Sequence, residues 1–397
     1  MTQPRQPVTL FAGALAAALV VAGTLTGASR GAASAAAPGT TLGAAPAAAC
    51  AGWTGMPAAS PGVTGASLFG IAVLSPCDAW AVGGTSNQNR LNPLVERWDG
   101  TTWTQYPSPI SGNGFSHLQG VAALSATDAW AVGVVANGSN DHTLTLHWNG
   151  TAWKQVPSPS PAGASSSLQA VVPVSANNVW AVGGSSKGST NKTLILHWNG
   201  TKWTQVSSPS PGSGDGLTGV TATSASNAWA VGTSSAGGVA QTLILHWNGT
   251  KWTRVASPDP GTANRLSSVA ATSTASAWAV GAAVDNGGAG QTLVLRWNGT
   301  KWARVASPSP GGTAVDSELS GVAANSPGSV FAVGLTAPGT QTLILHWDGT
   351  AWARVPSPNV GTNDGLFGVG TTSPGNVWAV GTYILGGAYQ ALAVHCC

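Results

Sequence analysis

The sequence predicts an all-β fold, a seven-bladed β-propeller with four antiparallel strands per blade, and three observations lead there. First, all 19 tryptophans fall on a repeat of about 50 residues that runs seven times. Trp80, Trp130, Trp180, Trp229, Trp278 and Trp378 open the string W-A-V-G, and Phe331 opens it in the remaining copy. Trp98, Trp148, Trp198, Trp247, Trp297 and Trp347 open W-(N/D)-G-T, while Trp53, Trp103, Trp153, Trp203, Trp252, Trp302 and Trp352 each begin a short run ending at proline or serine. Second, no segment shows helical periodicity, and each copy reads as short β-compatible runs divided by turns. Third, the last copy stops after its third strand, Ala391–His395. The missing strand stands at the other end, where Trp53-Thr54-Gly55-Met56-Pro57 lines up with Trp103-Thr104-Gln105-Tyr106-Pro107. The N-terminal strand is therefore expected to complete the last blade and close the ring.

The second copy justifies the elements in order. Leu118–Leu124 is a small-residue first strand, Ser125-Ala126-Thr127-Asp128 a turn, and Ala129–Gly133 a second strand. A Gly/Asn/Ser-rich loop leads to the third strand, Thr143–Trp148. Asn149-Gly150 then predicts a two-residue hairpin with positive φ at both positions, followed by a fourth strand over Thr151–Pro157. Third strands such as Thr193-Leu194-Ile195-Leu196 are apolar on both faces, as a sheet covered by two neighbours requires. The recurring P-S-P-x-P-G after the fourth strand reads as punctuation on an outer edge.

Charged residues make up 7% of the chain and the net charge is +3. So weak a field, with no basic run, excludes phosphate-backbone binding as the reading, and nucleic acid is not an expected partner. Residues 1–35 read as a signal peptide: Arg5 supplies the positive region, Val8–Val21 is apolar, and Ala33-Ser34-Ala35 offers a small-residue cleavage site. An uncleaved anchor is the alternative. Residues 36–50 read as an Ala/Gly/Pro/Thr-rich tether and 51–397 as the propeller. Export permits disulfides. Cys50 precedes the borrowed strand and Cys396 and Cys397 follow its partner, so Cys50–Cys396 and Cys77–Cys397 are expected among three possible pairings.

Repeats of S-x-x-(D/N)-x-W-A-V-G followed by W-(N/D)-G-T-x-W resemble secreted repeat propellers of high-GC Gram-positive bacteria. The D-G-T-x-W portion is similar to the Asp-box of sialidase-type propellers, without that motif's full serine-to-aspartate spacing. A looser likeness to kelch propellers covers blade size. The first resemblance spans residues 51 to 397 and implies the fold, with no defined activity.

Repeated polar residues have structural readings. The serines at 75, 125, 175, 224, 273, 326 and 373, five before each W-A-V-G aromatic, suit turns that bond their own backbone, as do the Asx residues three later. His147, His197, His246, His346 and His395 recur on third strands, with Arg97 and Arg296 at the other two. Neighbouring third strands should lie on the order of 15 Å apart, far beyond a shared metal, so these side chains are expected to bond between blades. No metal or other cofactor is expected. Asp215, Asp316 and Asp364 are the acidic loop residues that calcium would use, on separate blade junctions.

Catalytic signatures are missing: there is no G-x-S-x-G, P-loop or H-E-x-x-H, and Glu96 and Glu318 are the only glutamates. Function is instead expected where copies differ. Phe69 and Phe367 replace Gln, Thr or Ser, and Arg90, Phe115, His117, Tyr383 and Tyr389 stand nearby on the loop-rich rim. These seven are the candidate binding residues of a secreted, monomeric, non-catalytic scaffold for a protein or cell-surface glycan. A multivalent lectin using the repeated tryptophans, and a glycoside-acting enzyme using Glu96 or Glu318, are the alternatives.

Overall fold

Each W-A-V-G string forms the middle of the second strand of a four-stranded antiparallel sheet. The computed structural model describes residues 52–58, 65–87, 90–110, 115–138, 140–285, 288–337 and 340–396. The expected signal and tether, with Cys50 and Cys397, lie outside the described residues. Among the described residues 28 strands fall into antiparallel sets of four, at 65–105, 116–155, 165–206, 216–255, 263–305, 317–355 and 362–396, the last completed by Trp53–Pro57. These are called sheets one to seven. Trp53–Pro57 runs antiparallel to the final strand, Ala388–Cys396, pairing Trp53 with Cys396 and Gly55 with Val394. A single parallel bridge, Gly65 to Tyr389, links sheets one and seven.

First strands of successive sheets lie against one another, and Gly65–Ser75 of sheet one also lies against Thr362–Ser373 of sheet seven. The core sits between sheets, not within one: Trp130 of sheet two packs on Trp198 and Trp203 of sheet three, with centroids 5.0 and 5.1 Å apart, the latter pair edge to face. The same triad recurs from Trp80, Trp180, Trp229 and Trp278. Trp378 of sheet seven packs on Trp98 and Trp103 of sheet one at 4.9 and 5.3 Å, and Phe331 of sheet six packs on Trp53 at 6.2 Å. Such pairs contribute roughly 0.5–1.5 kcal/mol each beyond area burial. This is a multi-bladed all-β propeller.

Several local expectations are corrected. Trp148 pairs with Trp153, so the hairpin spans the four residues 149–152, and only Gly150 has positive φ, at 90°. Asn149 instead works through its side chain: Oδ1 accepts from the Thr151 and Ala152 amides and the Thr151 hydroxyl at 2.8–3.1 Å. The third-strand histidines bond within their own blade, not between blades. His147 Nε2 lies 2.9 Å from Asp128 and His197 Nε2 lies 2.9 Å from Asn178, while each ring stacks on the tryptophan of its own second strand. Arg97 bonds Asp78 of its own blade over Trp80, and it also reaches the next blade as expected, donating to the Ala126 carbonyl at 3.5 Å. The upstream serines do form backbone turns, Ser125 accepting from the Thr127 amide.

The P-S-P run is more than punctuation. Its serine hydroxyl meets a threonine hydroxyl near the start of the third strand, in Thr143–Ser158, Thr193–Ser208, Thr242–Ser257, Thr292–Ser307 and Thr342–Ser357, at 2.7–2.8 Å. This clamp fixes where the chain leaves each outer edge. Cys77 is a free, exposed thiol, which overturns the expected Cys77–Cys397 pair. The turn that holds Cys77 packs on the neighbouring hairpin, where Gly100 comes close to its sulfur. Cys396 is buried and disulfide-bonded.

Candidate functional site

Every first strand carries a β-bulge at the same register, after the conserved-position leucine of the repeat (Leu68, Leu118, Leu168, Leu217, Leu266, Leu319, Leu366). A bulge leaves one residue outside the ladder and re-aims its side chain. The bulged residues are Phe69, Gln119, Gln169, Thr218, Ser267, Ser320 and Phe367 in sheets one to seven. Successive bulges nearly touch through backbone. A Cβ on Gly70 would meet the Gln119 carbonyl at 2.9 Å, and one on Gly368 would meet the Phe69 carbonyl at 2.8 Å. Glycine follows the bulge in five sheets, at Gly70, Gly120, Gly219, Gly321 and Gly368, where the next blade's backbone leaves little room for a Cβ, while Ala170 and Ser268 stand there in sheets three and five.

The bulged Phe367 and Phe69, with His117 and Phe115 ahead of the sheet-two bulge, build one continuous aromatic arc over sheets seven, one and two. Phe367 lies 5.8 Å from Phe69 by ring centroid, Phe69 lies 6.0 Å from His117, and His117 lies 5.4 Å from Phe115. Phe69 and Phe367 are half-buried and Phe115 is 37% exposed, so the arc has an accessible face. His117 is only 4% exposed, and its ring Nδ1 is buried without a hydrogen-bond partner, while Nε2 lies 2.7 Å from the Gln119 amide. Burial holds its pKa down at about 4, so the imidazole is neutral and behaves as part of the apolar wall.

Sheets five and six place an ion pair on the same strands. Arg265 and Glu318 occupy the position two before the bulge, the one that His117 fills in sheet two, and their side chains are hydrogen-bonded. Thr218 in sheet four donates to the Leu266 carbonyl of sheet five. The inner edge is thus apolar over three sheets and polar over the others.

Four of the seven candidate residues, Phe69, Phe115, His117 and Phe367, are in mutual contact. Tyr383 is not part of the arc and packs among the residues between sheets six and seven. Tyr389 is exposed beside the Gly65 bridge. Arg90 pairs with Asn87 through its backbone, and its side chain lies outside the described residues. Gln119 and Arg265 were not singled out in the sequence, and Glu318 was named only for the glycoside-acting alternative. Their signal was there, since they depart from small residues at a fixed offset from the repeat leucine.

Asp364 and Asp215 are buried and accept loop amides: Val360 and Gly361 donate to Asp364, and Gly212 donates to Asp215. Asp316 accepts from Gly290. These carboxylates close loops, and no cluster of metal-ligating side chains exists among the described residues. No helix among them is long and apolar enough to cross a membrane. The tryptophans that a per-blade lectin would use are buried or half-buried between sheets.

No family model and no curated protein matches the chain. Solved structures do. YCF48 bound to D1 peptide is similar with a TM-score of 0.55 at 15% identity, covering 87% of this chain and 95% of its own. YCF48 from Cyanidioschyzon merolae is similar with a TM-score of 0.53 at 18% identity, covering 88% and 99%. At these identities the likeness is one of fold alone, and it agrees with the strand topology in making the chain a multi-bladed β-propeller.

Proposed function

We propose that this chain is an exported, closed seven-bladed propeller that serves as a non-catalytic scaffold, binding a protein partner through the aromatic arc of blades seven, one and two. The observation that carries this reading is the run Phe367–Phe69–His117–Phe115. Phe69 and Phe367 stand at the bulge on blades one and seven, where the other five place Gln119, Gln169, Thr218, Ser267 and Ser320, and His117 and Phe115 of blade two extend their cluster. Accessible aromatic clusters beside polar groups are the surfaces that dominate binding energy at protein interfaces. The Trp53–Cys396 pairing and the Trp378–Trp98 contact support closure of the ring, because each joins the two ends of the repeat array. YCF48, of the same fold, is known bound to a peptide, and that supports a protein ligand by analogy of fold. The two glutamates also favour binding over glycoside chemistry: Glu96 is buried on the third strand of blade one, and Glu318 is paired with Arg265 on blade six. A glycosidase needs two carboxyls flanking one bond.

The test is selection from a displayed random-peptide library, run in parallel with a glycan array. The wild-type chain is expected to enrich peptides with apolar or aromatic side chains. Phe69→Ser with Phe367→Ser, which copies blades five and six, should lose that enrichment by at least about tenfold, since two hot-spot rings are removed. Glycan signals from several equivalent sites, indifferent to both substitutions, would replace this reading with the lectin.

A further inference from the structure

The cations of the fold are not spread evenly over the repeat. The residue before the fourth-strand tryptophan is lysine in sheets three, four and five, namely Lys202, Lys251 and Lys301. The residue two after that tryptophan is arginine in sheets four, five and six, namely Arg254, Arg304 and Arg354. At the same positions the other repeats with a W-(N/D)-G-T hairpin carry Thr102, Ala152 and Ala351, or Gln105, Gln155 and Gln205. Along the chain these cations are scattered, with a counterpart only every 50 residues or so. Only the stacking of sheets collects them on consecutive outer edges.

All six side chains belong to exposed residues, and the ion pairs among the described residues use other cations, Arg97, His147 and Arg265. The acids on these edges, Asp259 and Asp348, accept backbone amides, from Thr242 and from Thr350 and Ala351. Each lysine is held at its backbone, where its amide donates to the hairpin asparagine Oδ1 at 3.0 Å. The strand bearing each arginine pairs on one side only, Arg254 opposite Leu245 and Arg304 opposite Leu295. Three residues separate lysine from arginine on one edge, which is about 10 Å of strand. Six cations on one arc outnumber its two carboxylates, Asp259 and Asp348, and the excess positive charge repels itself until an anion neutralises it.

We propose that the outer edges of sheets three to six form a docking belt for a linear acidic polysaccharide. Cations repeated along successive edges match an extended polymer with repeating anionic groups. A small anion would need donors converging on one point, and these diverge. Arginine's planar fork suits two-point contact with carboxylate or sulfate. The tryptophans of the fourth strands, Trp203, Trp252, Trp302 and Trp352, are buried and present no open face for a nucleic-acid base to stack on. The belt uses none of the residues of the aromatic arc and stands independently of the binding reading above.

Binding of the full chain to dextran sulfate is measured against salt, with uncharged dextran and duplex DNA as comparisons. The variant carries Lys251→Ala, Arg254→Gln, Lys301→Ala and Arg304→Gln. Other repeats already hold those residues at those positions, so the fold should tolerate them, and thermal unfolding verifies it. Dextran sulfate affinity is expected to fall at least about tenfold at low salt, and the slope of log affinity against log salt to shrink by roughly three. Lys187→Gln with Lys192→Gln, off the belt, should change neither. Unaltered binding by the belt variant, equal loss in the off-belt variant, equal binding of uncharged dextran, or tighter binding of DNA would each overturn the proposal. Should the quadruple variant unfold, Lys301→Ala and Arg304→Gln singly must each lower the slope by roughly one.

Discussion

His117 shows how one substitution within a repeat changes both surface and acid response. Its ring is walled by Phe69 and Phe115, and burial holds its pKa at about 4 against 6.5. The unfolded chain therefore binds the proton first, so stability from this residue is complete above pH 6.5 and drains away as pH falls to about 4. Replacing it by the serine found at 67 and 167 should flatten the decline of unfolding free energy over that window, by on the order of 3 kcal/mol in total. Parallel pH profiles for wild type and His117→Ser, measured by urea unfolding, would refute the assignment. The subtraction matters because burial also lowers the pKa values of His197, His246, His346 and His395. Asp99 and Asp348 act in a different window: hairpin amides hold them near 2, so their contribution is lost only as pH falls from about 4 toward 2. At this scale the sequence was partly readable. The arc residues stood out because they break a repeat. The His–Asx pairs did not, because their members lie 19 residues apart on adjacent strands and meet only once the register is set.

The element that holds neighbouring sheets together is the tryptophan triad, and the chain contains its own control. Phe331 fills the W-A-V-G position in sheet six and remains 1% exposed against Trp53. Trp130→Phe should therefore cost much less than Trp130→Ala, for which roughly 3–5 kcal/mol is expected from a buried tryptophan. Thermal or denaturant unfolding of the two variants decides it, and equal losses would mean that the triad does not carry the interface. The hairpins give a second prediction at this scale. Gly349 sits at φ 100° with no atom closer than 3.7 Å to an added Cβ, so Gly349→Ala tests backbone strain alone and should cost about 1–2 kcal/mol. Strand number and order were legible, because a period of about 50 residues with apolar third strands admits few other arrangements. The bulges were not. A bulge displaces one residue without altering the apolar pattern on either side of it, so Leu68 and Gly70 look like ordinary strand neighbours in sequence. The four-residue hairpin was misread for a related reason: Asn-Gly is shared by two turn geometries, and the staple from Asn149 Oδ1 selects the longer one.

At the scale of the whole molecule, the N-terminal strand determines whether the array has free ends. Trp53 is 8% exposed, covers Phe331, and stands opposite Cys396 in the final sheet. A chain beginning at Thr54 or later would uncover the edge of Ala388–Cys396 along with the aromatic face of sheet six. Unpaired edges of this kind invite pairing with another chain. A truncation that removes residues 1–45 should unfold at the same temperature as the full chain, since it keeps the Trp53–Pro57 strand that pairs with Ala388–Cys396. A truncation that removes residues 1–57 should lose at least the roughly 3–5 kcal/mol of one buried tryptophan. That is a large share of the 5–15 kcal/mol on which a typical fold rests. It should also self-associate in a concentration-dependent way. Adding the missing segment in trans, as a peptide spanning residues 46–58, should restore the monomer and part of the lost stability, while the same peptide with Trp53→Ala should not. Equal unfolding temperatures for the two truncations would mean that the ring does not depend on its first strand, and the proposed closure would have to be abandoned.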